Sequence, residues 1–315
     1  MGDLIMQPTC ENKYSRMTNA DFLDNLVEKI TTTFDDKKGI NHIKGYNLPT
    51  KNEIFAILND LLELVFPGYS GTKNYDITTI HYSIGTLLSR IYSELFQQIT
   101  KVLHYNCEIT DCEDCNIPEM AADATEFLLE SIPKIRTIMK RDVTASYEGD
   151  PAAQSFDEII LSYPGIRAIT VQRLAHALYS KKIPLIPRLM TEYAHSETGI
   201  DIHPGAKMGN GIFIDHGTGV VIGETTMIGD NVKIYQGVTL GALSFPKDES
   251  GNIIKGMKRH PSIDKNVTIY AGATILGDIT IGKGSIIGGN VWITEDLPPF
   301  SKVAISKGKQ VVKKK

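Results

Sequence analysis

Six polar side chains stand out in the last third of this 315-residue chain, because their types suit the binding and activation of an amino acid: Asp201, Asp215, His216, Glu224, Arg259 and His260. A histidine can act as a general base when a carboxylate fixes its tautomer, since the second ring nitrogen is then left to accept a proton. An arginine can bind a carboxylate through two parallel hydrogen bonds. Asp215 and Glu224 can hold an ammonium group. A site with both kinds of partner suits an amino acid.

A six-residue repeat supplies the elements that must position these side chains. Between residues 202 and 293 an aliphatic residue recurs every six positions, in three blocks: Ile202, Met208 and Ile214; Ile222, Ile228, Ile234 and Leu240; Ile263, Ile269, Ile275, Ile281, Ile287 and Ile293. A helix needs a period of 3.6 and an isolated strand a period of 2. The repeat therefore predicts a three-sided β-solenoid, with three hexads per coil and an aliphatic column inside. Glycine follows several of these residues, where we expect it to relieve backbone strain at the corners.

The repeat is interrupted twice, and both interruptions contain histidine. Ile214 and Ile222 are eight residues apart, so the chain bulges around His216. A longer excursion, predicted over residues 244–262, ends with Arg259 and His260. Loops on a rigid scaffold are common places for function. With about 18 residues per coil, Asp201 would lie one coil below His216 and could orient its imidazole; an ordinary surface carboxylate is the alternative for Asp201.

Composition limits the classes of function. Lys and Arg total 33 and Asp and Glu 37, a net charge of −4, so no global basic field indicates nucleic-acid binding. No stretch reaches the ~18 apolar residues of a membrane helix, and the N-terminus lacks a signal-peptide pattern. We therefore expect a cytoplasmic protein that binds neither nucleic acid nor membrane. Glycine is distributed unevenly along the chain, with 9 residues in 1–199 and 18 in 200–315. This indicates two regions with different types of structure.

The first region is predicted to be helical. A capping box, Thr50 with Glu53, opens one helix and Pro67-Gly68 closes it. Asp150 precedes Pro151 in a segment biased towards extended backbone, which exposes its carboxylate; from the residues alone it is an ordinary turn residue. Apolar spacing predicts helices near 19–34, 50–67, 77–104, 118–131, 133–146, 155–162, 165–181 and 187–197.

Three cysteines cluster between two of the predicted helices. Cys107, Cys112 and Cys115 follow His104 at a spacing that could hold zinc. Reduced thiols on a connecting loop are the alternative, and the sequence leaves both open.

The motifs together resemble the serine acetyltransferase family of hexapeptide acyltransferases. The resemblance covers roughly residues 145–300 and rests on Gly149-Asp-Pro-Ala152, Tyr163-Pro-Gly165, Asp201-Ile-His-Pro204, Ile214-Asp-His-Gly-Thr-Gly-Val-Val-Ile-Gly-Glu224, Gln236-Gly-Val-Thr-Leu-Gly241 and Lys258-Arg-His-Pro261. It implies an α+β fold, in which an N-terminal α-helical domain (1–198) precedes a left-handed parallel β-helix (199–300) and a C-terminal tail (301–315).

The resemblance also implies a role for each candidate residue. His216 would take the proton from the serine hydroxyl, with Asp201 orienting it, and the hydroxyl oxygen would attack the thioester of acetyl-CoA. Asp150 and Asp215 would hold the serine ammonium, and Arg259, with His260 beside it, the carboxylate. Acetyl-CoA would lie in a groove between solenoids along Gly241, Ala242, Ala271 and Gly289. No metal and no covalent enzyme intermediate would be required.

Assembly and partners follow from the same resemblance. Family members are trimers with active sites between subunits, and two trimers often join through their helical domains. L-Cysteine resembles serine and could occupy its site, which would allow feedback inhibition. The chain ends Gln310-Val-Val-Lys-Lys-Lys315 without a terminal Ile, so a stable complex with O-acetylserine sulfhydrylase is not predicted.

Three other functions compete with this interpretation. A hexapeptide O-acetyltransferase could act on another hydroxyl acceptor such as a sugar, but a sugar carries neither charge that Arg259 and the aspartates would bind. A zinc-dependent carbonic anhydrase on the same solenoid needs three converging histidines, and His203, His216 and His260 are unfavourably spaced. A non-catalytic scaffold would not explain the bulge at His216.

Overall fold

The computed structural model describes residues 20–35, 40–42, 48–69, 75–110 and 116–306. The chain divides into two units, Met1–Gly45 and Tyr46–Lys315. In the first unit, helix α1 spans Ala20–Thr32 and is followed by a short 3-10 helix, Thr33–Asp35. The second unit holds the remaining described helices and, after them, all described strands. The predicted order of a helical region followed by a solenoid is confirmed.

The helices of the second unit follow the apolar spacing of the sequence: α2 Lys51–Val65, α3 Ile80–Thr110, α4 Ile117–Gly149, α5 Phe156–Ser162, α6 Pro164–Ser180 and α7 Ile186–Thr198. Their buried stripes pack together, as between α6 and α7 and between α3 and α4. None of the helices in the described ranges is both long and apolar enough to span a bilayer.

Two local predictions about the helices were wrong. Residues 118–146 form one helix, α4, which continues through Pro133; burial of Leu128, Ile132 and Ile135 on both sides of the proline offsets the ~3 kcal/mol that an internal proline costs. Thr50 is the N-cap of α2 but makes no side-chain capping bond. Its own backbone N–H is instead donated to Oε1 of Gln98, 2.9 Å away.

The solenoid is built from fourteen short strands within the described ranges: β1 Asp201–Ile202, β2 Lys207–Met208, β3 Phe213–Asp215, β4 Val221–Ile222, β5 Met227–Ile228, β6 Lys233–Tyr235, β7 Thr239–Gly241, β8 Ser262–Ile263, β9 Thr268–Ile269, β10 Thr274–Leu276, β11 Thr280–Ile281, β12 Ile286–Ile287, β13 Trp292–Ile293 and β14 Lys302–Val303. They form three parallel sheets: sheet 1 (β1-β4-β7-β10-β13), sheet 2 (β11-β8-β5-β2) and sheet 3 (β14-β12-β9-β6-β3). Each full coil gives one strand to each sheet, as a left-handed β-helix of about five turns requires.

The aliphatic column predicted from the repeat forms the core of the prism. Twelve of its thirteen residues are buried, and Met208, in the first coil, is half-buried and packs against the others. Parallel pairing aligns equivalent positions of successive coils, as Ile222 on Leu240. The hydrophobic free energy of this column is therefore shared by all coils.

Several aliphatic residues of the repeat are followed directly by glycine, and the structure requires glycine there for a different reason from the predicted one. These glycines do not adopt the left-handed backbone conformation. Instead, a Cβ on Gly209 would lie 2.6 Å from the backbone of Gly229, and one on Gly229 2.7 Å from that of Lys265. Close stacking of one coil on the next excludes the side chain. The left-handed positions belong to other residues, among them three asparagines, Asn231, Asn266 and Asn290.

A buried ion pair fastens the helices to the first coil. Arg173 of α6 donates two hydrogen bonds to Oδ2 of Asp142 on α4, at 3.0 and 2.8 Å. The same guanidinium reaches the carbonyl of Gly209, and Oδ1 of Asp142 accepts the backbone N–H of Ile212. At the end of α4, Gly149 lies against the ring of Phe213, where a Cβ would be only 2.6 Å away. These contacts hold the residue after α4, Asp150, beside strand β3.

Candidate active site

Most of the polar residues predicted for the site, together with neighbours that were not predicted, fall into two groups on one chain. The first, called here the His216 group, contains Asp150, Tyr163, Asp215 and His216. The second, the Arg259 group, contains Tyr179, Glu224, Thr225, Arg259 and His260. His216 lies on the corner where the chain passes from sheet 3 to sheet 1, whereas Glu224 and Arg259 lie on the corner between sheets 1 and 2. One face of the prism therefore separates the two groups.

His216 lies in the first interruption of the repeat, directly after β3. Its backbone is in the left-handed region, with φ of 57°, which is uncommon for a residue with a Cβ. The side chain is 72% exposed, and its Nε2 is 3.8 Å from Oδ1 of Asp215, whose side chain is only 15% exposed. The bulge thus turns an imidazole outward next to a sheltered carboxylate.

Asp150 faces the same corner from the helical region. The hydroxyl of Tyr163, the residue before α6, donates to its Oδ2 at 2.5 Å, and the backbone N–H of Ala152 donates to its Oδ1 at 2.8 Å. The Tyr163 hydrogen bond lowers the pKa of Asp150, with smaller contributions from Ala152 and from the charge of His216. Burial and the bond to Asp150 raise the pKa of Tyr163. At neutral pH the pair is a phenol donating to a carboxylate.

Arg259, at the end of the excursion loop, is held by Glu224. Nη2 of Arg259 lies 2.5 Å from Oε2 of Glu224, and the hydroxyl of Tyr179 on α6 donates to Oε1 at 2.7 Å. Burial raises the pKa of Glu224, but the bonds from Tyr179 and Arg259 outweigh it and the net shift is downward. The structure thus pairs Glu224 with a cation of its own chain, whereas a substrate ammonium was the partner predicted from the sequence.

His260 is fixed by Thr225. The backbone N–H of Thr225 donates to Nδ1 of His260 at 3.1 Å, and the Thr225 hydroxyl lies 2.8 Å from the same atom. That hydroxyl also accepts the backbone N–H groups of Arg259 and His260, so its own proton points to Nδ1. Burial and the charge of Arg259 lower the pKa of His260 to about 4. The network assigns a neutral ring with the proton on Nε2, which is left as a donor.

Asp201 lies on β1, which pairs with β4, the strand that follows the His216 interruption. No hydrogen bond or ion pair joins Asp201 to His216 among the described residues. Asp201 lies instead with Glu192 and His195 of α7, with one potential ligand atom of each residue within 4.8 Å of the others. The pairing of Asp201 with Val221 of the next coil agrees with the predicted offset of about one coil, and the role of Asp201 in orienting His216 stays a prediction.

The residues predicted for acetyl-CoA also divide between the two corners. Ala271 and Gly289 stack on the corner that carries His216, and the carbonyl of Ala271 accepts the N–H of Asn290. Gly241 ends β7, and Gly241 and Ala242 lead away from sheet 1 into the excursion loop. All four predicted residues are half-buried in the single chain.

No role was predicted from the sequence for two tyrosines of these groups, Tyr163 and Tyr179. Tyr163 stood within the Tyr-Pro-Gly stretch, where an aromatic residue before a helix-starting proline indicates nothing about a carboxylate thirteen positions earlier. Tyr179 lies in the helical pattern of α6 without any distinguishing signal. Tyr163 bonds to a residue 13 positions away and Tyr179 to one 45 positions away, so only the tertiary structure identifies them.

The cysteine cluster lies largely outside the described residues, since Cys112 and Cys115 belong to 111–115. Cys107 is a half-buried free thiol. It lies within α3 and not on a loop, because that helix extends to Thr110, six residues past the predicted end.

A left-handed β-helix of hexapeptide repeats, with a histidine on a corner and an arginine on an excursion loop, defines a hexapeptide-repeat acyltransferase. The bacterial transferase hexapeptide (six repeats) family model matches residues 260–295. The chain belongs to the serine acetyltransferase family. It is 49% identical over 262 residues to a plasmid-borne serine acetyltransferase of Synechococcus elongatus, covering 82% of each chain. It is also 46% identical over 175 residues to the serine acetyltransferase of Bacillus subtilis, covering 76% of that chain.

Solved structures agree with this assignment. Serine acetyltransferase 1 of Entamoeba histolytica, in complex with L-cysteine, superposes with a TM-score of 0.69 at 35% identity, covering 90% of this chain and all of the other. Soybean serine acetyltransferase complexed with serine gives a TM-score of 0.51 at 30% identity, covering 79% of this chain and 95% of that one.

Proposed function

We propose that this chain is a serine O-acetyltransferase, which transfers the acetyl group of acetyl-CoA to the hydroxyl of L-serine in the first step of cysteine biosynthesis. The observation that carries the proposal is the placement of His216, Asp215 and Asp150 on one corner of a solenoid that belongs to the serine acetyltransferase family. An imidazole beside two carboxylates suits a substrate with a hydroxyl to deprotonate and an ammonium to hold.

In the proposed reaction His216 takes the proton from the serine hydroxyl. The serine oxygen then attacks the thioester carbonyl of acetyl-CoA, forming a C–O bond and a tetrahedral oxyanion. A backbone N–H on the corner would stabilise this oxyanion. Collapse of the intermediate breaks the C–S bond, and the departing thiolate of CoA accepts the proton from the His216 imidazolium. Atoms and charges balance without a metal ion or an acyl-enzyme.

The charges of serine match the two groups. Asp150 and Asp215 would bind the ammonium, since Tyr163 keeps Asp150 ionised. Arg259 would bind the carboxylate through the guanidinium N–H groups that Glu224 and the carbonyl of Met257 leave free, and Nε2–H of His260 would add a second donor. Glu224 would then act by orienting Arg259 and not by binding the ammonium.

A second copy of the chain is needed to complete this site. Within one chain a face of the prism lies between the His216 group and the Arg259 group, and serine is too small to bridge it. We propose that a homotrimer places the Arg259 group of one subunit against the His216 group of the next. The same contact would cover the exposed His216 ring, which Asp201 would orient for proton transfer. Acetyl-CoA would lie in the resulting groove, between Gly241 and Ala242 of one subunit and Ala271 and Gly289 of another.

The helical domain, 1–198, would contribute Asp150 and further oligomer contacts. L-Cysteine differs from serine only in a thiol for the hydroxyl, and one related structure contains it. We therefore propose that cysteine competes with serine for this site and acts as a feedback inhibitor.

A thiol-release assay with acetyl-CoA tests the proposal. We expect turnover with L-serine, little with sugars, and competition by L-cysteine against serine. His216→Ala should lower kcat by about two orders of magnitude or more, the usual effect of removing a general base. His81→Ala, at an exposed position on α3, is the matched control and should keep full activity. Strong turnover with a sugar acceptor, or full activity of His216→Ala, would overturn the substrate or the mechanism respectively.

A further inference from the structure

We propose that Tyr163 is a positioning residue for serine, which holds the Asp150 carboxylate in place for the substrate ammonium. This inference rests on the proposed function. Tyr163 is the single residue between α5 and α6. In this role it does not itself need to touch the reacting atoms.

The geometry of the hydrogen bonds supports this role. Both oxygens of Asp150 are engaged: Oδ2 accepts the Tyr163 hydroxyl at 2.5 Å and Oδ1 accepts the backbone N–H of Ala152 at 2.8 Å. A carboxylate has about four lone-pair positions, so two remain for an ammonium group. With both oxygens anchored, the carboxylate plane is fixed before serine arrives, which reduces the entropy lost on binding.

The segment around Tyr163 is itself fixed against the strand that carries the base. Tyr163 closes α5, with its N–H donated to the carbonyl of Ile159, and precedes Pro164 at the first turn of α6. Two residues on, Gly165 lies so close to the carbonyl of Ile214 that a Cβ there would fall well inside 3.0 Å. Ile214 directly precedes Asp215 and His216. The Tyr-Pro-Gly segment therefore ties the position of Asp150 to the corner with the imidazole.

Other charged groups around the pair set the electrostatic background. The charge of His216 contributes to the lowered pKa of Asp150. Besides burial and the bond to Asp150, the charges of Glu158 on α5 and Asp215 on β3 raise the pKa of Tyr163. Burial and the charges of Asp215 and Asp150 raise the pKa of Tyr235 on β6. The ammonium of Lys233 lies near Gly149, at the end of α4. Two carboxylates in one corner repel each other, so a neutral donor that stabilises one of them keeps both ionised for a cationic substrate group.

The test is Tyr163→Phe, which removes one hydroxyl and keeps the ring. We expect KM for serine to rise roughly five- to twentyfold, with kcat at saturating serine changed less than about twofold and KM for acetyl-CoA unchanged. The acid limb of L-cysteine binding, measured as its inhibition constant against pH, should move to higher pH, because the pKa of Asp150 is no longer lowered by the phenol. This binding needs Asp150 ionised but needs no proton transfer to His216, whose titration as the base would dominate the acid limb of kcat/KM. A merely structural role would not shift this limb.

Tyr69→Phe is the matched control. The Tyr69 hydroxyl also donates to a carboxylate at 2.5 Å, that of Asp157 on α5, but outside both groups. It should leave KM for serine and the pH profile as in the wild type. Asp150→Asn should raise KM for serine at least as much as Tyr163→Phe, and the double variant should be no worse than Asp150→Asn alone.

The outcomes separate the two proposals. If the wild-type enzyme does not acetylate serine, the proposed function fails. If the wild-type enzyme does so, but Tyr163→Phe keeps the wild-type KM and pH profile, the role of Tyr163 is overturned. Additive losses in the double variant would likewise overturn it, because Tyr163 would then act independently of Asp150. Circular dichroism and thermal melts of each variant exclude a folding defect as the cause of a changed KM.

Discussion

Nη2 of Arg259 lies 2.5 Å from Oε2 of Glu224, and the other oxygen of Glu224 accepts the hydroxyl of Tyr179. This chain of contacts runs from helix α6 through the solenoid corner to the excursion loop. A long arginine side chain at the end of a loop loses considerable rotamer entropy when it binds a ligand. The ion pair with Glu224 already restricts the Arg259 side chain before a ligand binds. Less rotamer entropy is therefore lost on binding, and the guanidinium is held in one orientation.

Glu224→Gln tests this arrangement. The variant keeps the shape of the side chain but loses the ion pair, so we expect KM for serine to rise roughly tenfold, the effect of about 1.4 kcal/mol. Steady-state kinetics at varied serine measures it. Asp60→Asn is the control, because it removes an Arg–carboxylate pair of the same length between Arg90 and Asp60, in the helical region. An unchanged KM in Glu224→Gln would show that Arg259 needs no such support.

The low pKa of His260 predicts a stability that depends on pH. In the unfolded chain a histidine protonates near pH 6.5, whereas in the fold His260 does so only at about 4. Between these values the unfolded state binds more protons, so stability is fully present above about pH 6.5 and is lost as pH falls towards 4. The loss from this group is at most about 3 kcal/mol.

Denaturant midpoints measured at pH 7.5 and pH 4.5 check this prediction. His260→Asn can keep the hydrogen bond from Thr225 without a titratable ring, and it should reduce the difference between the two midpoints. His81→Asn, at an exposed position on α3, is the control and should leave the difference as in the wild type. Equal pH dependence in the wild type and His260→Asn would contradict the assignment of a neutral, buried ring.

The buried Asp142–Arg173 pair belongs to neither group of site residues, yet it predicts a large effect on the free energy of unfolding. Its side chains are 0% and 7% exposed, so Arg173→Met would leave an uncompensated buried carboxylate and cost about 3–5 kcal/mol. Arg90→Met removes the exposed partner of Asp60 and should cost no more than about 1 kcal/mol. Urea unfolding of both variants compares them. Similar costs would mean that the buried pair does not fasten α4 and α6 to the first coil.

Two glycines predict opposite results of the same substitution. A Cβ on Gly223 would collide with the ring of His260, whereas nothing lies within 4 Å of one on Gly85 in α3. Gly223→Ala should displace His260 and lower both stability and activity. Gly85→Ala should stabilise the protein by about 0.5–1 kcal/mol, the difference in helix propensity. Thermal melts and the thiol-release assay measure both effects. A neutral Gly223→Ala would show that His260 has room to move.

Much of the fold could be predicted from local patterns. The six-residue period required a solenoid, because each aliphatic residue had to reach the same buried column, and twelve of the thirteen are buried. Among the described residues of the second unit, the apolar stripes predicted the location of each helix, although α4 was predicted as two. The errors were also local in origin: residues 118–131 and 133–146 were predicted as separate helices, but burial on both sides of Pro133 keeps α4 continuous. Glycines were assigned to strained corners, although the coil stacked above excludes their side chains.

The site was predictable only as a set of residue types. The sequence by itself determined that His216, Arg259 and His260 lie at interruptions of a regular scaffold, because a departure from a strict period is visible without coordinates. Only the tertiary structure decided that these residues divide between two corners, that Glu224 is bound to Arg259, and that Tyr163 holds Asp150. Each of these contacts joins groups from different elements, most of them far apart in sequence. Hydrogen bonds of this kind depend on the ångström-level packing of α4 and α6 against the first coils, which no one-dimensional pattern records.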